Sequence, residues 1–439
     1  MLKNTLVPIN RLPPEILSNV LEHRGCDWDL VAATHVCKHW RILLISSPTL
    51  WARLQLNRDE DGRRIRTYLE RSKWVARIVI EMDLVWFTPG NVLLELIIPH
   101  VGRVGSLTIH GPIADVQAVL FRVFCKPAPS LQHLVITVWL GCGAERKKKH
   151  RLPDNFLGRS APALRSITLN GICPAFVSRF SLPDLTRFQS DVECYGGPIR
   201  ASTICRILSI SSQLKEVSID LRPTLVIEDL VPDSVLSLDS LEELKFSGVL
   251  GAQVLPCLRL PRLRELQVTS VGAKIVNFLP VDGHLLLSKA TNLSYCCIEE
   301  KESRGAVFSG DGVTIQIQGY RIEPANWLSD TSDSFRRVRH LNYSGFDDWV
   351  PPTIELPTVA FESLEILQFN KCTAGFVNAI PRLLSKRGIP CPSLQEIRCD
   401  SRKTLGSVAR FVKSREKVGG RIRLVYCSDV GTLEEVCAE

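Results

Sequence analysis

The chain has 439 residues, of which 45% are hydrophobic and 23% are charged, a composition that excludes wholesale disorder. The formal net charge of +8 is modest, and Lys and Arg are interspersed with Asp and Glu, so no nucleic-acid partner is expected. No apolar run approaches the ~18 residues of a membrane helix, and the 15 cysteines form no CxxC pairs, which indicates reduced thiols. We therefore expect an intracellular protein, cytoplasmic or nuclear, that does not bind a membrane.

The N-terminal segment up to Trp51 predicts two short helices. Leu12-Pro13-Pro14-Glu15 is typical of a helix start, because proline is tolerated in the first turn and an acid favours the positive end of the helix dipole. Apolar residues follow at helical spacing, namely Ile16, Leu17, Val20 and Leu21, and then Leu30, Ala33, Val36, Trp40 and Leu44. Gly25 ends the first helix and Ser47-Pro48 ends the second. Such a short unit buries little core, so it either packs on a partner or caps the following domain.

This segment resembles an F-box. The family pattern opens with LPxEIL, passes through an apolar helix to a V-C-[KR]-x-W-[RK] core, and closes with S-x-x-L-W. The residues that carry the resemblance are Leu12-Pro13, Glu15-Ile16-Leu17, Val36-Cys37-Lys38-His39-Trp40-Arg41 and Ser47-Pro48-Thr49-Leu50-Trp51. Their order and spacing agree with the family throughout. The departure is the stretch from His23 to Trp28, which is more polar and turn-like than the usual segment between the helices.

The resemblance implies a partner and a role. F-box family members bind a small Skp-family adaptor, which bridges to a cullin, so the chain resembles a substrate-recruiting subunit of an SCF-type (cullin–RING) ubiquitin ligase. The adaptor-binding residues that the resemblance implies are Leu12, Pro13, Ile16, Leu17, Val36 and Trp40. Some of these residues must form the core of the F-box itself. The sequence leaves the interface residues and the core residues unseparated.

From residue 75 onward, a loose LxxLxL pattern recurs thirteen times. Its instances begin at Val75, Val104, Leu131, Leu164, Leu185, Leu214, Leu241, Leu263, Leu293, Val338, Leu364, Leu394 and Ile422. Most intervals lie in or near the roughly 20–29 residues of leucine-rich repeats. A longer gap after Leu293 holds an extra strand-like run from Val313 to Ile317, so we interpret about 300–335 as an insertion in the repeats.

The polarity pattern inside each unit distinguishes between fold classes. Positions three, five and seven are nearly all polar, so each strand has one buried and one solvated face. The segments between strands show helical spacing. A doubly wound sheet would instead have continuously apolar strands, and a TIM barrel closes at about eight strand–helix units. We therefore predict an α/β fold with an irregular leucine-rich-repeat-like solenoid, a horseshoe with a parallel concave sheet; another α/β repeat scaffold is the alternative.

The predicted organisation has four parts. An F-box at 7–52 is followed by a linker or cap at 53–73, the solenoid at 74–430 with its insertion, and a tail at 431–439. In this arrangement the chain resembles fungal F-box domain-containing proteins.

No catalytic motif of the GxSxG, HExxH, Walker or GxGxxG kind is present, so we expect neither an enzyme nor a cofactor nor a metal site. The leading interpretation is a non-catalytic adaptor that presents a client protein for ubiquitin transfer. The alternative is a protein-interaction scaffold that uses its F-box without ubiquitylation. The sequence does not identify the client, any modification that it must carry, or the pathway.

The solvated face of the predicted sheet is partly acidic between Leu185 and Glu299. Its outward acidic positions are Asp191, Glu216, Asp220, Glu243, Glu265 and Glu299. In this stretch only Arg187 and Lys245 oppose them. One hypothesis is that this face docks a cationic segment of the client; a merely hydrated face fits the same pattern.

Overall fold

The structure is a computed structural model in which the chain forms two compact units. Unit 1 comprises residues 1–199 and 206–214, and unit 2 comprises residues 200–205 and 215–439. The residues that the structure describes are 7–23, 30–56, 62–85, 90–139, 152–153, 155–191, 199–220, 235–247, 251–270, 279–287, 289–290, 292–298, 303–320, 336–344, 362–372, 391–400, 408–409, 412–413, 422–427 and 433–435.

Unit 1 begins with three short helices. They are α1, Pro14–His23; α2, Leu30–Ala33; and α3, Lys38–Ser46. The Sγ of Cys37 caps α3 by accepting a hydrogen bond from the backbone N–H of Trp40 at 3.5 Å. A 3-10 turn, Pro48–Ala52, follows α3, because Pro48 fixes its own φ and supplies no N–H to continue the helix. The chain then enters the sheet of unit 1.

The sheet of unit 1 is parallel between successive strands in chain order. Its strands are β1, Arg53–Leu56; β2, Ile78–Asp83; β3, Val104–Pro112; β4, His133–Trp139; β5, Ser166–Asn170; and β6, Arg187–Asp191. The connecting helices are α4, Gly62–Arg71; α5, Asn91–Ile97; and α6, Ile113–Val123. A further helix, α7, spans Ala201–Leu208. Connections that contain a helix suit parallel pairing, because a parallel strand needs a crossover.

The strands of unit 1 mostly bury alternate residues. In β5, Ile167 and Leu169 are buried, whereas Ser166, Thr168 and Asn170 are half-buried on the opposite face. The same alternation holds in β2 and β4. The period of two follows from the pleat, and it places one apolar row of each strand in the core and one polar row towards solvent.

Unit 2 continues with the same kind of strand. Its strands are β7, Glu216–Asp220; β8, Leu236–Ser237; β9, Glu243–Ser247; β10, Leu258–Arg259; β11, Glu265–Ser270; β12, Asn292–Ile298; β13, Ser303–Gly310; β14, Val313–Tyr320; β15, His340–Ser344; β16, Ile366–Asn370; β17, Glu396–Cys399; β18, Arg423–Cys427; and β19, Leu433–Glu435. Two short helices are α8, Gly251–Val254, and α9, Gly283–Leu287. β8 and β10 pair with each other in a separate two-stranded ladder.

A hairpin interrupts the parallel order of unit 2. β7, β9 and β11 pair in parallel, but the next neighbour of β11 is β14, not β12. β14 pairs antiparallel with β13, which pairs antiparallel with β12, and the parallel order resumes from β12 through β15, β16 and β17 to β18. The segment interpreted as an insertion thus contributes two strands to the sheet itself.

The structure confirms the coarse fold prediction, a mixed α/β chain with N-terminal helices and a large parallel sheet. Each of the thirteen LxxLxL positions overlaps one of the parallel strands. The range predicted as a linker or cap contains β1 and α4, and the range predicted as a tail contains β19, which pairs antiparallel with β18. These two short strands extend the sheet beyond the range that the repeats predict.

Candidate functional site

The N-terminal helices are held together by a small core. Leu17 and Leu21 of α1 and Leu44 of α3 are buried, and so is Trp40. The indole Nε1 of Trp40 donates a hydrogen bond to the Oδ1 of Asn10 at 2.7 Å, which satisfies its polar group inside the core. Leu17 and Trp40, both predicted as adaptor-binding residues, therefore lie inside this core and can only support a binding surface.

A set of large apolar side chains is exposed on α1, on α3 and on the turn between α2 and α3. Ile16, Val36, Ile42 and Ile45, which we call the exposed apolar set, have between 46% and 61% of their surface in contact with solvent. Ile42 and Ile45 are three residues apart on α3, so they lie on one side of that helix. Of the twelve large apolar residues that are exposed in the described ranges, five precede residue 46, counting Val7. Such a concentration is typical of a protein-binding surface.

The remaining predicted contacts are accessible or partly so. Pro13 is exposed and Leu12 is half-buried, while Ile16 and Val36 belong to the exposed apolar set. Ile42 and Ile45 are not among the residues that the F-box motif predicts. The helical period could have indicated them. Leu43 and Leu44 form the buried side of α3, and the residue before this pair and the residue after it, Ile42 and Ile45, fall on the opposite side of the helix.

Helix α4 packs against the end of the N-terminal helices. Trp51 is fully buried, and its Nε1 donates to the backbone carbonyl of Leu44 at 2.7 Å. The ring of Tyr68 meets the Trp51 ring edge-on, with centroids 5.0 Å apart. The guanidinium of Arg71 lies over the Trp51 ring, 4.2 Å from its centroid. The hydroxyl of Tyr68 accepts a hydrogen bond from the backbone N–H of Leu30 at 3.4 Å.

The acidic positions of unit 2 form a row across three strands. Glu216, Glu243 and Glu265 are in register on β7, β9 and β11, and all three are half-buried. The Nζ of Lys245 lies 3.0 Å from the Oε1 of Glu265 and offsets one of the charges. Asp220 lies at the end of β7, in register with a serine of β9. Neighbouring strands are about 4.8 Å apart, so the row concentrates negative charge on this face.

The prediction names two further acidic positions, Asp191 and Glu299. Asp191 is half-buried at the end of β6 in unit 1. Glu299 lies outside the described residues.

Three thiols, the buried Cys205 and the half-buried Cys125 and Cys257, have raised pKa values. Burial, reinforced by the nearby Cys257, raises the pKa of Cys205 to about 11, and burial also raises the pKa of Cys125 and of Cys257. A raised pKa leaves less thiolate at neutral pH, and the thiolate is the nucleophile.

Within the described part of the chain, no group of three or more His, Cys, Asp or Glu residues is arranged to hold a metal ion. None of the described helices is both long enough and apolar enough to cross a membrane.

Comparison with known families identifies the N-terminal segment. Residues 9–57 match the family model of an F-box-like domain, a range that covers α1, α2, α3 and β1. No curated protein matches the chain. The match supports an F-box protein, and an F-box suggests in general an adaptor role in SCF-type ubiquitin ligases. The typical partner of such a domain is a Skp-family adaptor.

Proposed function

We propose that the chain is the substrate-recruiting subunit of an SCF-type ubiquitin ligase. Its exposed apolar set binds a Skp-family adaptor, which links the chain to a cullin. One observation carries the proposal. All four residues of the exposed apolar set lie within the F-box-like match at 9–57. Exposed apolar side chains inside this match are stabilised when a partner protein removes them from water.

The sheet supplies the client-binding half of the proposal. Parallel strands with one apolar and one polar face, separated by helices and turns, support an irregular leucine-rich-repeat-like solenoid. Its polar face would hold the client while the F-box holds the ligase. The rate gain is then one of proximity, because a client lysine held near the ubiquitin thioester reacts at a high effective concentration. The chain itself is a non-catalytic intracellular adaptor that needs no cofactor.

Adaptor binding is tested by the double substitution Ile42→Ser/Ile45→Ser. Both side chains are exposed, so the change removes interface area without opening a cavity. If each contributes like a typical interface anchor, the affinity for a purified Skp-family adaptor falls about 100-fold, measured by calorimetry or surface plasmon resonance. The matched control is Val92→Ser/Phe121→Ser, which changes residues that are 71% and 64% exposed on α5 and α6. Wild-type affinity in the first variant would contradict the proposed interface.

The acidic positions give the client a chemical character. We propose that the acidic residues of unit 2, Glu216, Asp220, Glu243 and Glu265, form a surface that binds a cationic segment of the client. Glu216, Glu243 and Glu265 are in register on neighbouring strands, and the Nζ of Lys245 lies 3.0 Å from the Oε1 of Glu265. Like charges in such a register repel one another, so a cationic segment is attracted to this row.

Charge reversal tests the client surface. In Glu216→Lys/Glu243→Lys the row becomes cationic, so we expect the proteins captured by the full chain to lose their basic members while adaptor binding stays at the wild-type level. The control is Glu95→Lys/Asp184→Lys, which makes the same change of charge at two exposed positions of unit 1. Quantitative mass spectrometry of the captured proteins is the measurement. An unchanged set of basic proteins would remove the charge-based hypothesis.

A further inference from the structure

The F-box-like match ends at residue 57, but the packing of that domain does not. Trp51, near the end of the match, is fully buried and is joined to α3 by the hydrogen bond from its Nε1 to the carbonyl of Leu44. Ile42 and Ile45 flank Leu44 on α3. The orientation of the Trp51 ring and the position of the exposed face of α3 are therefore linked through one buried hydrogen bond.

Helix α4, which lies beyond the match, supplies the surroundings of Trp51. The guanidinium of Arg71 over the indole is a cation–π contact, and the edge of Tyr68 forms a second aromatic contact with the same ring. The Nη1 of Arg71 is buried, and it has no hydrogen-bond partner among the described residues. The cation–π contact with Trp51 offsets part of the desolvation of this guanidinium.

The same helix contacts α2. The N–H of Leu30 is at the first turn of α2, where backbone donors have no partner within the helix, and the hydroxyl of Tyr68 accepts its hydrogen bond. The far end of α4 is joined to the sheet region of unit 1. The Nη2 of Arg103 donates to the carbonyl of Ser72 at 2.6 Å and to its Oγ at 2.9 Å. Helix α4 therefore contacts the F-box-like helices at one side and the rest of unit 1 at its end.

We propose that Arg71 and Tyr68 are positioning residues for the adaptor-binding surface, acting through Trp51 and the Leu44 carbonyl on α3. This inference rests on the proposed function, because it assumes that Ile42 and Ile45 contact the adaptor. It extends the functional unit past the F-box-like match: the surface that binds the adaptor is held in shape by a helix that the match leaves out.

The experiment compares four single substitutions in the full chain for affinity towards a purified Skp-family adaptor. Arg71→Ala removes the cation from the indole, and we expect affinity to fall about tenfold. Arg71→Lys keeps a cation over the ring and restores most of the affinity. Tyr68→Phe removes only the hydroxyl, which accepts the hydrogen bond from the N–H of Leu30, and we expect affinity for the adaptor to fall about threefold to tenfold. The matched control is Arg66→Ala, which removes an exposed arginine from the same helix and leaves affinity unchanged.

A spectroscopic signature checks that the effect of Arg71 passes through the Trp51 ring. With 5-fluorotryptophan incorporated, the resonance of Trp51, assigned by Trp51→Phe, should shift in Arg71→Ala and return towards its wild-type position in Arg71→Lys. Wild-type affinity in both Arg71→Ala and Tyr68→Phe, together with weakened binding in Ile42→Ser/Ile45→Ser, would overturn the inference alone. Wild-type affinity in all of these variants would overturn the proposed interface as well. If Arg71→Ala does not fold, Tyr68→Phe decides, and wild-type affinity there overturns the inference.

Discussion

At the first position of β17, the carboxylate of Glu396 is buried between two arginines. Its Oε1 accepts a hydrogen bond from the Nε of Arg398, and its Oε2 accepts one from the Nη2 of Arg423 at 2.7 Å. Arg423 is in register with Glu396 on β18, and Arg398 lies two residues along β17. Periodicity predicts a polar residue on the solvated face at this position. Its burial could not be predicted, because it depends on two long side chains from neighbouring positions covering it.

The same distinction applies to the predicted adaptor-binding residues. A family motif identifies Leu17 and Trp40 by residue type, whereas their burial depends on how α1 and α3 pack together. Ile16 and Val36, from the same motif, are exposed. The sequence therefore identified the motif residues by type, and the division between core and surface required the packing to be known.

Gly171 provides a prediction about stability at a single residue. It follows β5 with φ of +77°, and a Cβ there would lie 2.6 Å from the carbonyl oxygen of Val138. Its N–H also donates to the carbonyl of Asp191 at 2.7 Å. The positive φ favours glycine, and a Cβ would clash with the Val138 carbonyl oxygen. Gly171→Ala should therefore lower the free energy of unfolding by roughly 2 kcal/mol or more.

The matched control for this prediction is Gly102→Ala. A Cβ at Gly102 meets nothing within 4 Å, so its free energy of unfolding should stay within about 0.5–1 kcal/mol of wild type. Urea denaturation followed by circular dichroism measures both variants. Equal midpoints for the two alanine variants would show that the close approach of Gly171 to Val138 is not a constraint on the fold.

At the scale of elements, the strands could be predicted from the sequence, but part of their order in the sheet could not. A strand reveals itself locally through its period of two, which is why all thirteen LxxLxL positions overlap strands. The run from Val313 was also recognised as strand-like, and it forms β14. Its place between β11 and β13 is a long-range property of the pairing, and no local pattern specifies it.

The segment after the F-box-like helices shows a second limit. β1 has only four residues, too few to establish a period, and α4 is rich in arginine, so both were included in a predicted linker or cap. Pairing with β2 is what makes β1 part of the sheet, with Leu54 and Leu56 buried. The contacts of α4 with Trp51 likewise depend on the folded arrangement. The residues between the F-box-like helices and β2 therefore contribute β1 to the sheet and contacts of α4 to Trp51.

At the scale of the whole molecule, the two halves of the proposed function rest on different surfaces. The F-box-like helices offer apolar side chains to an adaptor, and the sheet of unit 2 offers a row of carboxylates to a client. Sequence motifs reveal the first because many proteins share one adaptor surface. The identity of the client is specific to this chain, and side-chain chemistry restricts it only to a cationic segment.

The central claim is that the chain delivers a client to a ubiquitin ligase, and reconstituted transfer tests it most directly. The full chain, with its captured proteins, is combined with a Skp-family adaptor, cullin, RING subunit, charged conjugating enzyme and ubiquitin. We predict that a captured protein is ubiquitylated, and that Ile42→Ser/Ile45→Ser abolishes the transfer while capture continues. Adaptor binding without cullin recruitment, or a complete complex that transfers no ubiquitin to any captured protein, would contradict the account and favour a scaffold that works without ubiquitylation.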